Sequence, residues 1–209
     1  MGWQQAIIAA ALGYVLGAVP CGMIVARVYG NLDLTAYGSG RTGATNVLRT
    51  LGTGAAAIVF AGDFLKGFLA VLLVGLATGG NAWAELTAAV AAVLGHSYSV
   101  FIGFKGGRGV VTGLGATLVA APWLMAIAFA VGVLLVAVTR YVSLGSVVGS
   151  ALGGVFMVGQ AVATHDPAWA VWGVAVAGFI VLAHRDNIER LLAGKERKLG
   201  EGGSRRKAS

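Results

Sequence analysis

Apolar runs of about twenty residues follow one another along the whole chain, and that rhythm leaves few folds open. A run of this length without charge is what an α-helix needs to cross a bilayer. The chain has 209 residues, 57% of them hydrophobic and 11% charged. A soluble domain carries about 25% charged residues. The reading is an all-α polytopic membrane helix bundle, one domain over residues 1–209, with no room for a separate soluble domain. The 34 glycines fit close helix packing and sharp turns between helices.

The first span is expected from about Gln4 to Tyr29, the second from Thr53 to Ala77 and the third from Trp83 to Phe101. Val110 to Val138 is apolar for 29 residues with Pro122 near its middle, and Leu144–Ala163 and Ala168–Ala183 complete the set. Orientation follows from the cations, which favour the cytoplasmic side. Arg41, Arg49, Lys105, Arg108 and the basic tail should share that side, and the uncharged N-terminus should lie outside. Six crossings would put the tail outside. Two short helices hinged at Ala121-Pro122 give about seven crossings and bring every basic loop inside. The last stretch, about 200–209, reads as a disordered basic tail.

Several functional classes fall away. The net charge of +7 does not mark a nucleic-acid binder, because the cations sit at the ends of apolar runs and in the tail rather than among aromatics. Cys21 is the sole cysteine, and no base near it in sequence would make it a nucleophile. Met1–Ala11 lacks the positive region of a signal peptide and reads as the start of a retained span. The histidines are scattered and no metal-ligand spacing exists, so no cofactor is expected. A His-xxxx-Asp pattern is missing as well: the residue five after each histidine is Phe101, Ala170 or Glu189.

Two polar stretches stand out against the apolar background. Phe104-Lys105-Gly106-Gly107-Arg108-Gly109 joins two cations to three glycines. Cations in such surroundings need water, a cavity or an anion, and glycines let backbone N–H groups approach a ligand. This combination suits a phosphate; a plain cytoplasmic turn is the other reading. Gly38-Ser39-Gly40-Arg41-Thr42-Gly43-Ala44-Thr45-Asn46 runs into Val47-Leu48-Arg49 as a helix start. Such a loop can hold an anion on hydroxyls and a helix N-terminus. It has neither the Lys-Ser/Thr of a Walker A loop nor a βαβ setting. Lying on the same expected face, the two loops suggest one site for two anionic groups. His96 stands before the second loop, as a structural residue or a base. His184 and Asn187 open the tail, three residues apart, and can both point back to that site. Asp186 and Glu189 fit a capping box, and Ile188, Leu191 and Leu192 give the following helix an apolar, interfacial face. Asp63 and Lys66 lie inside span two at i, i+3 spacing, which allows an ion pair facing the bundle interior or a direct catalytic part.

Taken together, Gly38–Arg49, Gly95–Thr112 and His184–Glu196 resemble the three signature segments of the bacterial acyl-phosphate:glycerol-3-phosphate acyltransferases. The chain departs from that family's common pattern at Arg41-Thr42, Ser99 and Arg108. The resemblance implies a multi-pass enzyme of the bacterial plasma (inner) membrane with its active site on the cytoplasmic side. It implies acyl transfer from acyl phosphate to the 1-position of sn-glycerol 3-phosphate, giving lysophosphatidic acid within phospholipid synthesis. Membrane lipid would be its surroundings, with no obligate protein partner. Carried over residue by residue, it implies a phosphate site at Ser39 with the amides of Gly38, Gly40 and Gly43, beside Thr45 and Asn46. Gly106, Gly107, Arg108 and Gly109 would form the second loop with His96. Contacts to the glycerol phosphate and the acyl phosphate would come from Arg49, Lys105, Ser143, His184 and Asn187, with Lys105, Ser143, His184 and Asn187 closest to the chemistry. A transporter for a small organic phosphate would use similar loops, but should show half-to-half repeats. Only Asp63/Lys66 and Pro122 interrupt the spans. A noncatalytic scaffold leaves the clustering of Ser39, Lys105 and Asn187 unexplained.

Overall fold

A computed structural model describes residues 2–202. From residue 203 on, the tail expected to be disordered lies outside the described residues. Among the described residues the chain forms helices and connecting loops, with no β-strand: α1 (Trp3–Ala18), α2 (Cys21–Gly30), α3 (Ala44–Leu51), α4 (Thr53–Thr78), α5 (Ala82–Ser97), α6 (Val110–Ala120), α7 (Pro122–Thr139), α8 (Val142–Thr164), α9 (Pro167–Ala183) and α10 (Arg185–Leu192). Five helical segments are long and apolar enough to cross a membrane alone, and a sixth if α9 and α10, bent by 59°, count as one. The hinge expected at Ala121-Pro122 is present, with Pro122 as the first residue of α7. It makes α6 only 11 residues long, or about 16 Å at 1.5 Å per residue.

The first span is not one straight helix. Pro20 has no N–H to continue α1, so the chain breaks there and restarts at Cys21. The break frees the carbonyls of Ala18 and Val19 inside an apolar bundle, where unpaired polar groups are costly. Ser99 Oγ donates to Ala18 O at 2.5 Å and Lys66 Nζ donates to Val19 O at 2.9 Å. Lys66 Nζ also lies 2.8 Å from Asp63 Oδ1, as the i, i+3 spacing allows, and His96 Nδ1 lies 3.4 Å from the same oxygen.

Glycine and alanine set how closely the helices meet. Gly13 and Gly17 of α1 lie so near the backbone of Ala88 and Ala92 on α5 that a Cβ at either would strike main chain. Gly67 of α4 meets Thr112 of α6, and Gly115 of α6 meets Phe64 of α4, in the same way. The main apolar cluster gathers α4, α5, α6, α7, α8 and α9 around Trp172, Met125, Met157, Val71 and Val93.

At the end of α9 the expected capping box is absent. Helix α10 starts one residue after α9 ends, with His184 at the junction and no side-chain cap. Asp186 therefore sits inside the first turn, where its charge still favours the helix N-terminus. Leu192 is exposed and Asn187 is buried, so α10 turns its polar residue inward at that position.

Candidate active site

The polar segments that are remote in sequence meet at one end of the bundle. Arg49 donates to Arg197 O, Arg108 Nε donates to Ala183 O at 3.1 Å, and Arg140 exchanges backbone and side-chain bonds with Leu199. The two glycine loops, the α7–α8 junction and the tail are thus tied to one another.

The first loop is organised by Asn46. Its Nδ2 donates to Leu34 O, Tyr37 O and Arg41 O at 3.3, 3.1 and 2.9 Å, and its Oδ1 accepts from Ser39 N–H at 3.1 Å. Gly38 and Gly40, at φ of 54° and 71°, supply the left-handed turns. The path delivers Gly43 to the N-cap of α3, and Gly43, Ala44 and Thr45 line the cavity at the helix end where backbone N–H groups lack intrahelical partners. The amide of Asn46 is committed to the loop backbone.

The second loop rests on His96. Gly107 N–H donates to His96 O at 3.2 Å. A Cβ on Gly106 would strike His96 O, and one on Gly107 would strike the His96 ring. These glycines therefore permit close seating on α5, and Gly107, Arg108 and Gly109 reach the cavity. Lys105 is exposed and lines neither cavity described below, nor do Gly38, Gly40 and Gly106.

A cavity of about 370 Å³ begins at these loops and continues between α4, α6, α7, α8 and α9. Ser39, Arg41, Asp63, His96, Arg108 and His184 mark its polar end; Met125, Met157, Trp172 and Ile180 lie along its apolar length. A smaller cavity of about 40 Å³ shares Thr45, Arg108 and His184 with it and adds Arg49, Ser143, Asn187 and Glu196. The expected residues Thr45, Arg49, Arg108, Ser143, His184 and Asn187 are thus brought together. Glu196, which the sequence left in a basic tail, is buried among them. Its Oε1 accepts from Ser143 Oγ at 2.9 Å and from Asn187 Nδ2 at 2.6 Å, and its Oε2 accepts from Arg190 Nε at 2.7 Å.

The site holds an excess of cations. Burial, with the charges of Arg41 and Arg190, pushes the Arg108 guanidinium down to about 10. Burial likewise lowers Arg49, with Glu196 opposing and Arg197 adding to the shift. Both remain charged at neutral pH. Arg49 Nε is buried without a partner, an orphan donor on the small cavity. A dianion seated there would relieve the repulsion and satisfy the donor. His184 Nδ1 lies 2.8 Å from Ile180 O, which accepts its hydrogen and leaves Nε2 as the lone-pair nitrogen of the neutral ring.

Residues 7–194 match the family model described as glycerol-3-phosphate acyltransferase. The chain belongs to that family. Curated relatives include glycerol-3-phosphate acyltransferases of Thermoanaerobacter sp. (strain X514), 42% identical over 95% of this chain and 98% of the relative, and of Thermus thermophilus, 45% identical over 91% and 93%. The fold is similar to that of the crystal structure of PlsY (YgiH), an integral membrane glycerol 3-phosphate acyltransferase, in its glycerol 3-phosphate form. That match has a TM-score of 0.86 and 37% identity, covering 93% of this chain and 96% of the other. The lysophosphatidic acid form of PlsY matches with a TM-score of 0.84 and 36% identity over 94% and 96%. This acyltransferase is accordingly an integral membrane enzyme of lipid synthesis, and its polar cluster is the candidate active site.

Proposed function

We propose that the enzyme transfers a fatty acyl group from acyl phosphate to the 1-position of sn-glycerol 3-phosphate, yielding lysophosphatidic acid and phosphate. The observation that carries this reading is the junction of a cationic polar end with a long apolar cavity. An amphiphile with a phosphate head and an acyl tail fits such a junction, tail between α6, α7, α8 and α9 and head at the loops. The glycerol 3-phosphate form and the lysophosphatidic acid form of the related PlsY support the acceptor and the product.

In the reaction the glycerol 1-hydroxyl attacks the acyl carbonyl carbon. A new ester C–O bond forms, the bond from that carbon to the phosphate oxygen breaks, and phosphate leaves with its electron pair. Arg108, Arg49 and the N–H groups at the start of α3 offset charge on the carbonyl and the leaving group. Lys105, exposed on the same loop as Arg108, adds its charge to theirs when substrate is bound. Acyl phosphate is already activated, so a strong base is unnecessary. The hydroxyl proton passes to His184 Nε2 or to an oxygen of the departing phosphate, and the pH–rate profile of His184→Asn separates these routes. Counting α6 and α9 as crossings gives seven, with the N-terminus outside and the site on the cytoplasmic face of the bacterial plasma membrane. The sharing of one end by Arg41, Arg108, Arg140 and the tail supports that orientation. Single cysteines at Gly2 and Gly202, on a Cys21→Ala background, should label from outside at Gly2 alone.

The test is donor choice. Purified enzyme with labelled glycerol 3-phosphate is offered acyl phosphate, acyl-coenzyme A or an acyl carrier protein thioester. Lysophosphatidic acid from acyl phosphate alone is the expected result. Equal turnover of a thioester, or none with acyl phosphate, would overturn the reading.

A further inference from the structure

Asn187 is 4% exposed, and its two amide atoms meet unlike surroundings. Nδ2 donates to Glu196 Oε1 at 2.6 Å, whereas Oδ1 is buried without a partner. The residue walls the smaller cavity together with Arg49, Ser143 and His184. A side-chain amide can be turned over with little change of shape, so its neighbours decide which atom faces where. Glu196 makes that decision one-sided. Burial acts to raise its pKa, but hydrogen bonds from Asn187, Arg190 and Ser143 outweigh burial and hold it below its ordinary value. An ionised carboxylate accepts and cannot donate. Asn187 must therefore give Nδ2 to Glu196, which leaves Oδ1, enclosed and without a partner, as the free acceptor of a residue on the cavity wall.

We infer that Glu196 is a positioning residue that fixes Asn187 as a hydrogen-bond acceptor for the 2-hydroxyl of the acyl acceptor, so that the site selects a 2-hydroxy over a 2-keto phosphate ester. This rests on the acyl-transfer reading above. The 2-hydroxyl is the group that suits a fixed acceptor. The 1-hydroxyl gives up its proton during the reaction, while the 2-hydroxyl keeps its O–H throughout. The same small cavity supplies the complementary half of the match, because the orphan Arg49 Nε donor suits the phosphate. A ketone at carbon 2 would set its oxygen against Oδ1, acceptor against acceptor, which a site built to receive a hydroxyl rejects strongly.

The experiment compares kcat/KM for three acceptors, each with a free 1-hydroxyl: glycerol 3-phosphate, 3-hydroxypropyl phosphate with nothing at carbon 2, and dihydroxyacetone phosphate with a ketone there. Wild type should rank them in that order, with the ketone about 100-fold or more below glycerol 3-phosphate. Glu196→Gln supplies an NH₂ that can donate to a turned-over Asn187, bringing Nδ2 to the cavity. It should shrink the hydroxyl-to-ketone ratio by about tenfold or more. Glu196→Asp keeps an acceptor-only partner and should preserve the ratio even where the rate falls. A purely structural role would lower all three acceptors together. Wild type using the ketone within about threefold of glycerol 3-phosphate would overturn the inference whatever the variants do, and so would a folded Glu196→Gln with an unchanged ratio. Failure of wild type to acylate glycerol 3-phosphate would overturn the underlying reading and this inference with it. Normal acylation without discrimination overturns the inference alone.

Discussion

The two glycine-rich loops look alike in sequence and are held in opposite ways. Gly38–Asn46 is braced from within: Asn46 gathers Leu34, Tyr37, Arg41 and Ser39 onto one amide, and the glycines that matter most are those at positive φ, Gly38 and Gly40. Phe104–Gly109 is braced from outside, on His96 of α5, which in turn meets Asp63 of α4. Its Gly106 and Gly107 are there because any side chain would strike His96. The same composition thus answers two demands, backbone conformation at Gly38, Gly40 and Gly109 and close seating at Gly106 and Gly107. The second loop should accordingly fail from changes in the bundle, and the first from changes in itself.

The sharpest break of this contrast is Gly107→Ala. The added methyl must displace the loop from His96, and a misplacement of about 1 Å costs on the order of 100-fold in rate. We expect at least that loss in kcat/KM from protein that still elutes as a folded species; near-normal kinetics would mean that His96 does not seat the loop. Next come the two cations of the second loop. Arg108 is at the cavity wall, whereas Lys105 is exposed and outside the lining. With a charge-assisted hydrogen bond worth about 1.5–3 kcal/mol, Arg108→Gln should lower kcat/KM by about 100-fold and Lys105→Gln by about tenfold. The reverse order, read from steady-state kinetics, would show that Lys105 folds inward when substrate binds.

Asn46→Ala tests the first loop alone. It strips the buried backbone of Leu34, Tyr37 and Arg41 of a shared donor, and should lower stability by about 1–3 kcal/mol, seen as a reduced thermal midpoint in detergent. Activity should fall by about tenfold, less than for Gly107→Ala. The smallest effect concerns pH. Glu196 is held below its ordinary value of 4.5, so its contribution to docking the tail is complete above that value and is lost as pH falls through the lower folded value. Protease cleavage within Lys195–Leu199 should be unchanged from about pH 8 to 5 and increase only under more acid conditions. Release of the tail between pH 7 and 6 would contradict this.

Much of the architecture was legible because lipid imposes a strict rule on length and polarity. The apolar runs located the long helices, and Pro122 located the α6–α7 hinge. The first span was expected to run straight through Pro20 to Tyr29, since the apolar pattern is unbroken there. The consequences of Pro20 appear only where Ser99 and Lys66, far along the chain, reach the freed carbonyls. In the site, the cations and glycines announced an anion. Asn46 gave no sign that its amide would hold the loop together, because that role depends on four backbone groups of a folded turn. Glu196 was hidden for a similar reason. An acid in a basic tail reads as a solvated charge until Ser143, Asn187 and Arg190 close around it. The Asp186/Glu189 capping box failed because α9 leaves a single residue before α10, so Asp186 falls within the first turn instead of before it.

The central claim is that these differently braced loops serve one ligand. Hydrogen–deuterium exchange of the purified enzyme, with and without saturating glycerol 3-phosphate, tests it directly through peptides covering residues 38–46 and 104–109. Slowed exchange in both loops, with the turn at residues 79–81 unaffected, is the result expected. Protection of one loop alone, or of neither under conditions where binding is saturated, would contradict a shared site.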